Sequence, residues 1–222
     1  IQNGNQITGA EVLARWLSPR RGLILPGNFI PLFEKSELIV KLDRYMFEHA
    51  CRWYRSHLEQ GGRPVSLAVN VSKAGLFQND FVDYYTDIKA KYSIPDRVME
   101  LEFTESILAA DTELFAELVV NLNARGFICS LDDFGSGYSS LNLLKNLPID
   151  VLKLDILFFQ KSRDIRRERI VVSNVINMAK ELDIKTIAEG VEDMDTVEFL
   201  RKAGCNVIQG YVFAKPCLRR IL

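Results

Sequence analysis

Two adjacent carboxylates, Asp132 and Asp133, are the starting point for any chemistry in this sequence. They follow a mainly apolar run at 126–129 and precede a stretch rich in glycine and serine at 135–140. This pattern predicts a strand that ends in two negative charges and then gives way to a loop. Because neighbouring carboxylates repel each other, one of them takes up a proton unless a cation lies between them. A solvated turn uses the same residue types, so the pair alone does not identify a site.

The elements that would position this pair alternate regularly between strands and helices. Apolar patterning predicts seven strands, at 7–16, 65–72, 98–106, 126–133, 151–159, 184–191 and 207–213. Helices are predicted between them at a spacing of roughly 25–35 residues, which is typical of βα units. The longest is predicted at 38–58, with a buried face formed by Leu38, Leu42, Tyr45, Met46, His49 and Trp53.

This alternation favours an α/β barrel. An eight-stranded βα barrel typically needs about 250 residues, and this chain has 222. Seven strands therefore predict a modified TIM-like (β/α)8 barrel with one strand missing, before Ile1. The competing architecture is an open doubly wound sheet, which usually carries a glycine-rich phosphate loop after its first strand. The sequence has no such loop.

Polar residues recur at or near the carboxyl ends of the predicted strands. They are Glu11, Asn70, Glu102, Asp132, Asp133, Lys153, Asp155, Glu189 and Gln209. In a βα barrel the carboxyl ends of all the strands meet on one face, where active sites lie. The sequence therefore predicts one site built from many separate segments.

The acids of this set need a countercharge. At least five carboxylates would converge, and Lys153 alone cannot neutralise them. Oxygen donors that include an asparagine carbonyl favour Mg²⁺ or Mn²⁺, and two such ions about 3.5–4 Å apart suit in-line displacement at phosphorus. Asp132 is placed to bridge them, while Lys153 and Arg15 would add positive charge near a phosphate. Taken singly, Asp155 also fits a salt bridge and Gln209 a backbone cap.

Bulk composition narrows the function classes. The chain is 48% hydrophobic and 26% charged, with a net charge of -1, which is typical of a globular protein without a basic surface for a DNA or RNA duplex. Its 222 residues suit one large domain or two small ones. The four cysteines have no CxxC spacing, and we interpret them as free thiols in a reducing compartment. Since the chain begins at Ile1 without methionine, we expect it to be a piece of a longer protein.

Seven short motifs are spread over nearly the whole chain. They are GAEVLARW at 9–16, NVS at 70–72, EFTES at 102–106, DDFGSGYSSL at 132–141, LKLD at 152–155, AEGVE at 188–192 and QGYVFAKP at 209–216. Together they resemble the EAL domain, the family of bacterial cyclic di-GMP phosphodiesterases. The naming motif departs from the family at Val12, where alanine is usual. The resemblance implies a modified barrel whose first strand is antiparallel, and we expect that strand to be missing here.

The resemblance also implies a role for each polar residue. The metal ligands would be Glu11, Asn70, Glu102, Asp132 and Asp133. The catalytic residues would be Glu11, Asp133, Lys153 and Glu189, with Lys153 holding the attacking water or the phosphate and Glu189 acting as a general base or supporting acid. The nucleotide would contact Leu13, Arg15, Asp155 and Gln209. Glu105 would anchor the loop at 133–140, which in the family couples metal binding to dimer contacts.

The implied activity is metal-dependent hydrolysis of cyclic di-GMP to linear pGpG in second-messenger signalling. The resemblance implies two Mg²⁺ or Mn²⁺ ions, inhibition by Ca²⁺, a homodimer, and fusion to GGDEF or sensory domains. We expect a cytoplasmic domain whose parent protein is compatible with membrane tethering. The first alternative is a catalytically inactive cyclic di-GMP receptor, which the retention of every matched acid disfavours. The second is an unrelated metal-dependent barrel enzyme acting on a carboxylated metabolite, which leaves the motif DDFGSGYSSL unexplained.

Overall fold

The computed structural model describes residues 2–3, 6–108, 112–134, 144–155 and 164–216. Its strands are β1 (Gln2–Asn3), β2 (Gln6–Ile7), β3 (Gly9–Val12), β4 (Trp16–Ser18), β5 (Gly22–Ile24), β6 (Ser66–Asn70), β7 (Met99–Thr104), β8 (Ile128–Phe134), β9 (Val151–Leu154), β10 (Lys185–Ala188) and β11 (Val207–Ile208). Its helices are α1 (Pro26–Glu34), α2 (Leu38–Glu59), α3 (Lys73–Leu76), α4 (Phe81–Lys91), α5 (Glu105–Leu108), α6 (Thr112–Ala124), α7 (Ile165–Glu181) and α8 (Met194–Ala203).

A nine-stranded sheet organises the domain, in the order β2-β1-β11-β10-β9-β8-β7-β6-β3. Within it β3 and β6 to β11 all run parallel, so the predicted set of seven parallel strands is confirmed. The two edge strands, β2 and β3, are separated in the chain only by Thr8. Since consecutive Cα atoms are about 3.8 Å apart, both edges must lie side by side. The sheet therefore curls on itself, as the predicted modified TIM-like barrel requires.

The expectation of a missing antiparallel strand needs a correction. The two-residue strand β1 pairs antiparallel with β11 through Gln2 and Ile208, and it also pairs antiparallel with β2. A strand at the edge of a sheet exposes a row of unpaired backbone N–H and C=O groups. The first residues of the chain satisfy part of that row on β11. A short antiparallel strand is therefore present where we expected none.

The first predicted strand, 7–16, is shorter in the structure and belongs to two different sheets. Its central part is β3, which ends at Val12, whereas Trp16 begins β4 and pairs with Ile24 of β5 in a separate hairpin. Leu13, Ala14 and Arg15 thus form the connection between barrel and hairpin. The predicted strand at 151–159 is described through Leu154 as β9, and its residues 156–159 lie outside the described part of the chain.

The core lies between the sheet and the helices that surround it. Along β7 the residues alternate: Met99, Leu101 and Phe103 face the helices and are fully buried, while Glu100 and Glu102 occupy the opposite face. A barrel built this way brings charged side chains into its interior. Over the described residues, no helix combines the length and apolar character needed to cross a membrane.

The long helix α2 packs through a different face from the one we predicted. Leu38 and Tyr45 are exposed. The buried residues are Ile39, Asp43, Phe47, Ala50, Cys51 and Tyr54. The face turned inward is therefore offset by about one residue, which is about 100° around a helix. It includes a carboxylate, Asp43, that periodicity alone assigns to the solvent.

Candidate functional site

The parallel strands deliver the predicted site residues to one end of the barrel. Glu11 lies on β3, Asn70 ends β6, Glu102 lies on β7, and Asp132 and Asp133 lie on β8. Lys153 lies on β9, and Asp155 is the first residue after that strand. Glu189 and Gln209 are the first residues after β10 and β11. Because carboxyl ends of parallel strands share an edge, these side chains meet although they are spread over some 200 positions of sequence.

Lys153 is the centre of one cluster. Its side chain is 1% exposed, and its Nζ lies 2.5 Å from Glu102 Oε1, 2.7 Å from Glu189 Oε1 and 3.6 Å from Asp132 Oδ1. A buried ammonium is tolerated only when paired, and here three neighbouring strands each contribute a carboxylate. Burial by itself would lower the pKa of Lys153, but the carboxylates around it raise that pKa well above the ordinary lysine value. The ammonium is therefore charged at any physiological pH.

Glu11 is the centre of a second cluster, held by two amides. Asn70 Nδ2 donates to Glu11 Oε1 at 3.3 Å, and Gln209 Nε2 donates to Glu11 Oε2 at 2.7 Å. These bonds join β3 to β6 on one side and to the segment after β11 on the other. The second bond links the first and the last parallel strands of the barrel. It therefore couples the closure of the barrel to the position of the Glu11 carboxylate.

The Asp132–Asp133 pair lies at an irregularity in β8. The pairing of β8 with β9 shifts register between Leu131 and Phe134, as in a β-bulge. Asp133 has a φ of 57°, in the left-handed region, and its backbone N–H donates to Asp132 Oδ1 at 2.8 Å. A non-glycine residue keeps this backbone conformation only where the surrounding structure imposes it. The bulge breaks the alternation that would otherwise send the two carboxylates to opposite faces.

Burial shifts the protonation of several acids. It raises the pKa of Glu102 well above the ordinary glutamate value, although Lys153 opposes the change. Burial likewise raises the pKa of Glu189 to about 7, again against the influence of Lys153. The pKa of Asp133 is raised by burial and by the neighbouring charges of Asp132 and Asp155. Glu189 thus changes charge near neutral pH, which suits a residue that accepts and returns a proton.

The donor set fits hard divalent cations. Every predicted ligand offers oxygen, the donor that Mg²⁺ and Mn²⁺ prefer. Among the described residues, Glu102 Oε2 and Gln209 Oε1 are buried without a hydrogen-bond partner, and such atoms call for a cation or water. Within the same residues, no three acidic, histidine or cysteine side chains are grouped closely enough to hold an ion. The acids surround the Lys153 ammonium instead, so ion binding requires their side chains to turn.

The predicted nucleotide contacts and loop residues lie at the edge of this site or beyond it. Leu13 is 40% exposed, and Arg15 Nη1 donates to Ala14 O at 2.8 Å, which leaves the rest of the guanidinium for other partners. Glu105 begins the short helix α5 and is partly buried. Residues 135–140 of the loop that Glu105 would anchor lie outside the described residues.

Sequence reasoning missed two features that support the site. Gly210 follows Gln209, and a Cβ there would lie 2.0 Å from Val191 O, so only glycine permits this contact with the segment after Glu189. The carboxylate of Asp43 is buried and accepts from Ser72, two residues after Asn70. The available sequence signal was an acid between apolar residues at helical spacing, in a helix whose apolar residues extend around more than one face.

Comparison with known proteins agrees with these observations. The family model described as EAL domain matches residues 2–216. The chain is 37% identical over 214 residues to the bifunctional diguanylate cyclase/cyclic di-GMP phosphodiesterase MucR of Pseudomonas aeruginosa, covering 96% of this chain and 31% of MucR. It is 35% identical over 214 residues to the cyclic di-GMP phosphodiesterase RocR of the same organism, covering 96% of this chain and 54% of RocR.

A solved structure gives the same picture. The MucR phosphodiesterase in complex with c-di-GMP has a TM-score of 0.88 at 37% identity, covering 96% of this chain and 86% of that chain. The chain thus spans about a third to a half of the full-length relatives compared.

Proposed function

The chain belongs to the EAL domain family, and from that premise we propose that it is a phosphodiesterase that hydrolyses cyclic di-GMP to linear pGpG with two bound Mg²⁺ or Mn²⁺ ions. Relatives at 35–37% identity are named as cyclic di-GMP phosphodiesterases. The observation that carries the proposal is the pair of clusters around Lys153 and Glu11. They gather the oxygen donors and the Lys153 ammonium at one end of the barrel.

The ligands of the two ions would be Glu11, Asn70, Glu102, Asp132 and Asp133. When bound, the ions would supply Lewis acidity at the scissile phosphate. Two of the acids that now pair with Lys153, Glu102 and Asp132, belong to this set. Ligation would therefore withdraw them from the ammonium and leave Lys153 with charge to offer a phosphate oxygen or the attacking water.

Glu189 is the residue we assign to proton transfer. Its Oε1 lies 2.7 Å from Lys153 Nζ, and its pKa of about 7, raised by burial, lets it gain and lose a proton at working pH. Catalytic groups commonly have pKa values moved toward neutrality in this way. Glu189 would take the proton of the attacking water and pass it on to the leaving oxygen.

Leu13 and Arg15 provide the surface for the nucleotide. Both lie in the segment that follows β3, which carries Glu11 and ends at Val12, and Leu13 is 40% exposed. An exposed leucine offers an apolar face to a guanine base, while a guanidinium binds phosphate oxygens in pairs. Asp155, which follows β9, and Gln209, which donates to Glu11, would complete the contacts with the nucleotide.

The setting of the domain is a further part of the proposal. We expect residues 1–222 to work as one domain, as a homodimer, within a longer cytoplasmic protein that carries GGDEF or sensory domains. The relatives are two to three times longer than the matched region, and the free thiols of Cys51, Cys129 and Cys205 suit a reducing compartment. Ca²⁺, which prefers more ligands and longer bonds than Mg²⁺, would bind without supporting turnover.

Chromatography of the reaction products tests the proposal. The purified chain is incubated with cyclic di-GMP and Mg²⁺ or Mn²⁺, beside a Glu11→Ala variant and a sample in EDTA. We expect pGpG from the parent chain with metal and none in EDTA, with kcat of the variant lowered about a hundredfold or more. Tight binding of intact cyclic di-GMP with no product would instead identify a receptor, and absence of both binding and product would reject the substrate.

A further inference from the structure

A buried carboxylate lies behind the site, outside the set of residues assigned above. Asp43 lies on α2, is 7% exposed and has Ile39 and Phe47 as buried neighbours on the same helix face. A carboxylate in such surroundings is costly unless hydrogen bonds compensate it. Its partner is 29 positions away in the sequence, at Ser72. The charge therefore connects α2 to the turn that follows β6.

Three hydrogen bonds fix this turn. Asp43 Oδ2 accepts from the Ser72 backbone N–H at 3.0 Å and from the Ser72 hydroxyl at 2.6 Å. Ser72 Oγ in turn accepts from the Gly75 N–H at 3.0 Å and caps α3. A Cβ on Gly75 would lie 2.5 Å from Asp43 Oδ2, so the helix start packs directly on the carboxylate. The turn has little freedom to move.

The turn carries a proposed ligand at its other end. Ser72 is two residues after Asn70, whose amide donates to Glu11 Oε1 at 3.3 Å. Between them Val71 is buried, and its N–H donates to the backbone oxygen of Glu102 at 3.0 Å. The segment 70–72 is therefore held by Glu102 on the barrel side and by Asp43 on the helix side.

We propose that Asp43 is a positioning residue of the site, which holds the segment 70–72 so that the Asn70 amide faces Glu11 and the bound ions. This inference rests on the proposed function. Helix capping alone does not explain Asp43, because Ser72 already caps α3. Two other side-chain caps among the described residues are local, since Asp164 and Asp193 each accept from backbone N–H groups at the start of their own helices. Because Asp43 lies on a separate helix, α2, we assign its carboxylate to holding the end of β6, which precedes the cap.

A pair of matched variants separates positioning from stability. Asp43→Ala removes the acceptor behind Asn70. Asp150→Ala removes a comparable carboxylate at the opposite end of the strands, where Asp150 Oδ2 accepts from the Cys129 N–H at 2.8 Å and Oδ1 pairs with Arg97. Mn²⁺ affinity of each metal-free protein is measured by electron paramagnetic resonance, together with thermal stability and the kcat and KM for cyclic di-GMP.

We expect both variants to melt at lower temperature, but only Asp43→Ala to bind Mn²⁺ more weakly. Supporting residues of metal sites typically change affinity or activity by about 10–100-fold, and we expect the lower end, about tenfold, because Asp43 acts through the backbone. The loss should appear in kcat more than in KM. Asp43→Asn, which keeps one acceptor oxygen, should recover part of the affinity.

Ser72→Ala covers the case in which Asp43→Ala does not fold. It keeps the backbone bond to Asp43 and removes the hydroxyl, so we expect a loss of Mn²⁺ affinity of about threefold, below the range for removing the whole group. Parental affinity in a folded Asp43→Ala, or in Ser72→Ala when the former is unfolded, would overturn the inference while leaving the metal site intact. If the parent chain binds no Mn²⁺, the proposed function fails and the inference fails with it.

Discussion

Replacing Lys153 with methionine removes the ammonium around which three acids are grouped. The Nζ atom lies 2.5 Å from Glu102, 2.7 Å from Glu189 and 3.6 Å from Asp132. Methionine fills similar space but carries no charge, so the carboxylates are left in a buried site without their partner. Removing one member of a buried ion pair typically costs about 3–5 kcal/mol.

The magnitude depends on pH in a direction that the structure determines. Burial already raises the pKa values of Glu102 and Glu189, and loss of Lys153 raises them further. A group with a raised pKa favours the folded state below its unfolded pKa, and this contribution disappears as pH rises through the folded value. We therefore expect Lys153→Met to lose about 3 kcal/mol at pH 8, which is roughly 6–12 °C in Tm, and less at pH 5.

Urea denaturation in EDTA at both pH values measures the loss. Lys202→Met is the matched control, since Lys202 Nζ lies 2.7 Å from Glu198 Oε1 but the two side chains are 74% and 66% exposed. Exposed pairs contribute little to stability, so this variant should unfold close to the parent. Equal losses in the two variants, or a Lys153→Met protein as stable as the parent at pH 8, would refute the reasoning.

Three further predictions follow from other parts of the structure. Gly210→Ala should lower the free energy of unfolding by about 1–3 kcal/mol and turnover by at least about tenfold, because the added Cβ would lie 2.0 Å from the backbone of Val191. Gly27→Ala is the control, since no atom lies within 4 Å of its Cβ, and it should leave stability and turnover unchanged or raise stability slightly. The Tm of the metal-free protein should fall between pH 5 and pH 8 in calorimetry, since the raised pKa of Glu189, about 7, favours folding only below that pH; a Tm that rises over this interval would contradict it. Val12→Ala should lose about 1 kcal/mol in thermal denaturation, because Val12 packs against the core, while kcat stays within a few-fold of the parent.

The position of the site could be predicted because its signal is local. Asp132 follows a short apolar run and Glu102 lies in an alternating strand near its carboxyl end, and parallel strands bring such ends together. In the parallel pairing of β7 with β8, Thr104 lies opposite Asp132, so the carboxyl ends of these two strands lie at the same edge of the sheet. What the sequence predicts here is which end of the barrel carries the chemistry and which residues reach it.

The contacts between those residues could not be predicted, because they depend on the closed barrel. Gln209 and Glu11 are 198 positions apart, and nothing in either motif specifies their hydrogen bond. The sequence also does not specify that the Lys153 ammonium lies among the acids. We inferred a need for countercharge from the count of carboxylates, whereas the arrangement depends on side-chain directions that strand alternation leaves open.

The face of α2 shows a second limit of sequence patterning. Apolar residues surround this helix on more than one side, so periodicity supports several faces, and we chose the one containing Leu38 and Tyr45. Packing selected a neighbouring face that includes Asp43, a residue that any hydrophobicity count assigns to solvent. The partner that makes its burial possible, Ser72, lies on a separate element. A buried polar pair is a tertiary property.

We propose that divalent ions bound by the acids around Lys153 and Glu11 drive the opening of cyclic di-GMP. The most direct test is to titrate the metal-free chain with Mn²⁺ and to record bound ions and pGpG formation in the same samples. We expect two bound ions per chain, turnover that rises with their occupancy, and loss of both ion binding and turnover in Glu102→Gln. Full turnover without metal, or two bound ions in a Glu102→Gln variant as active as the parent, would contradict it.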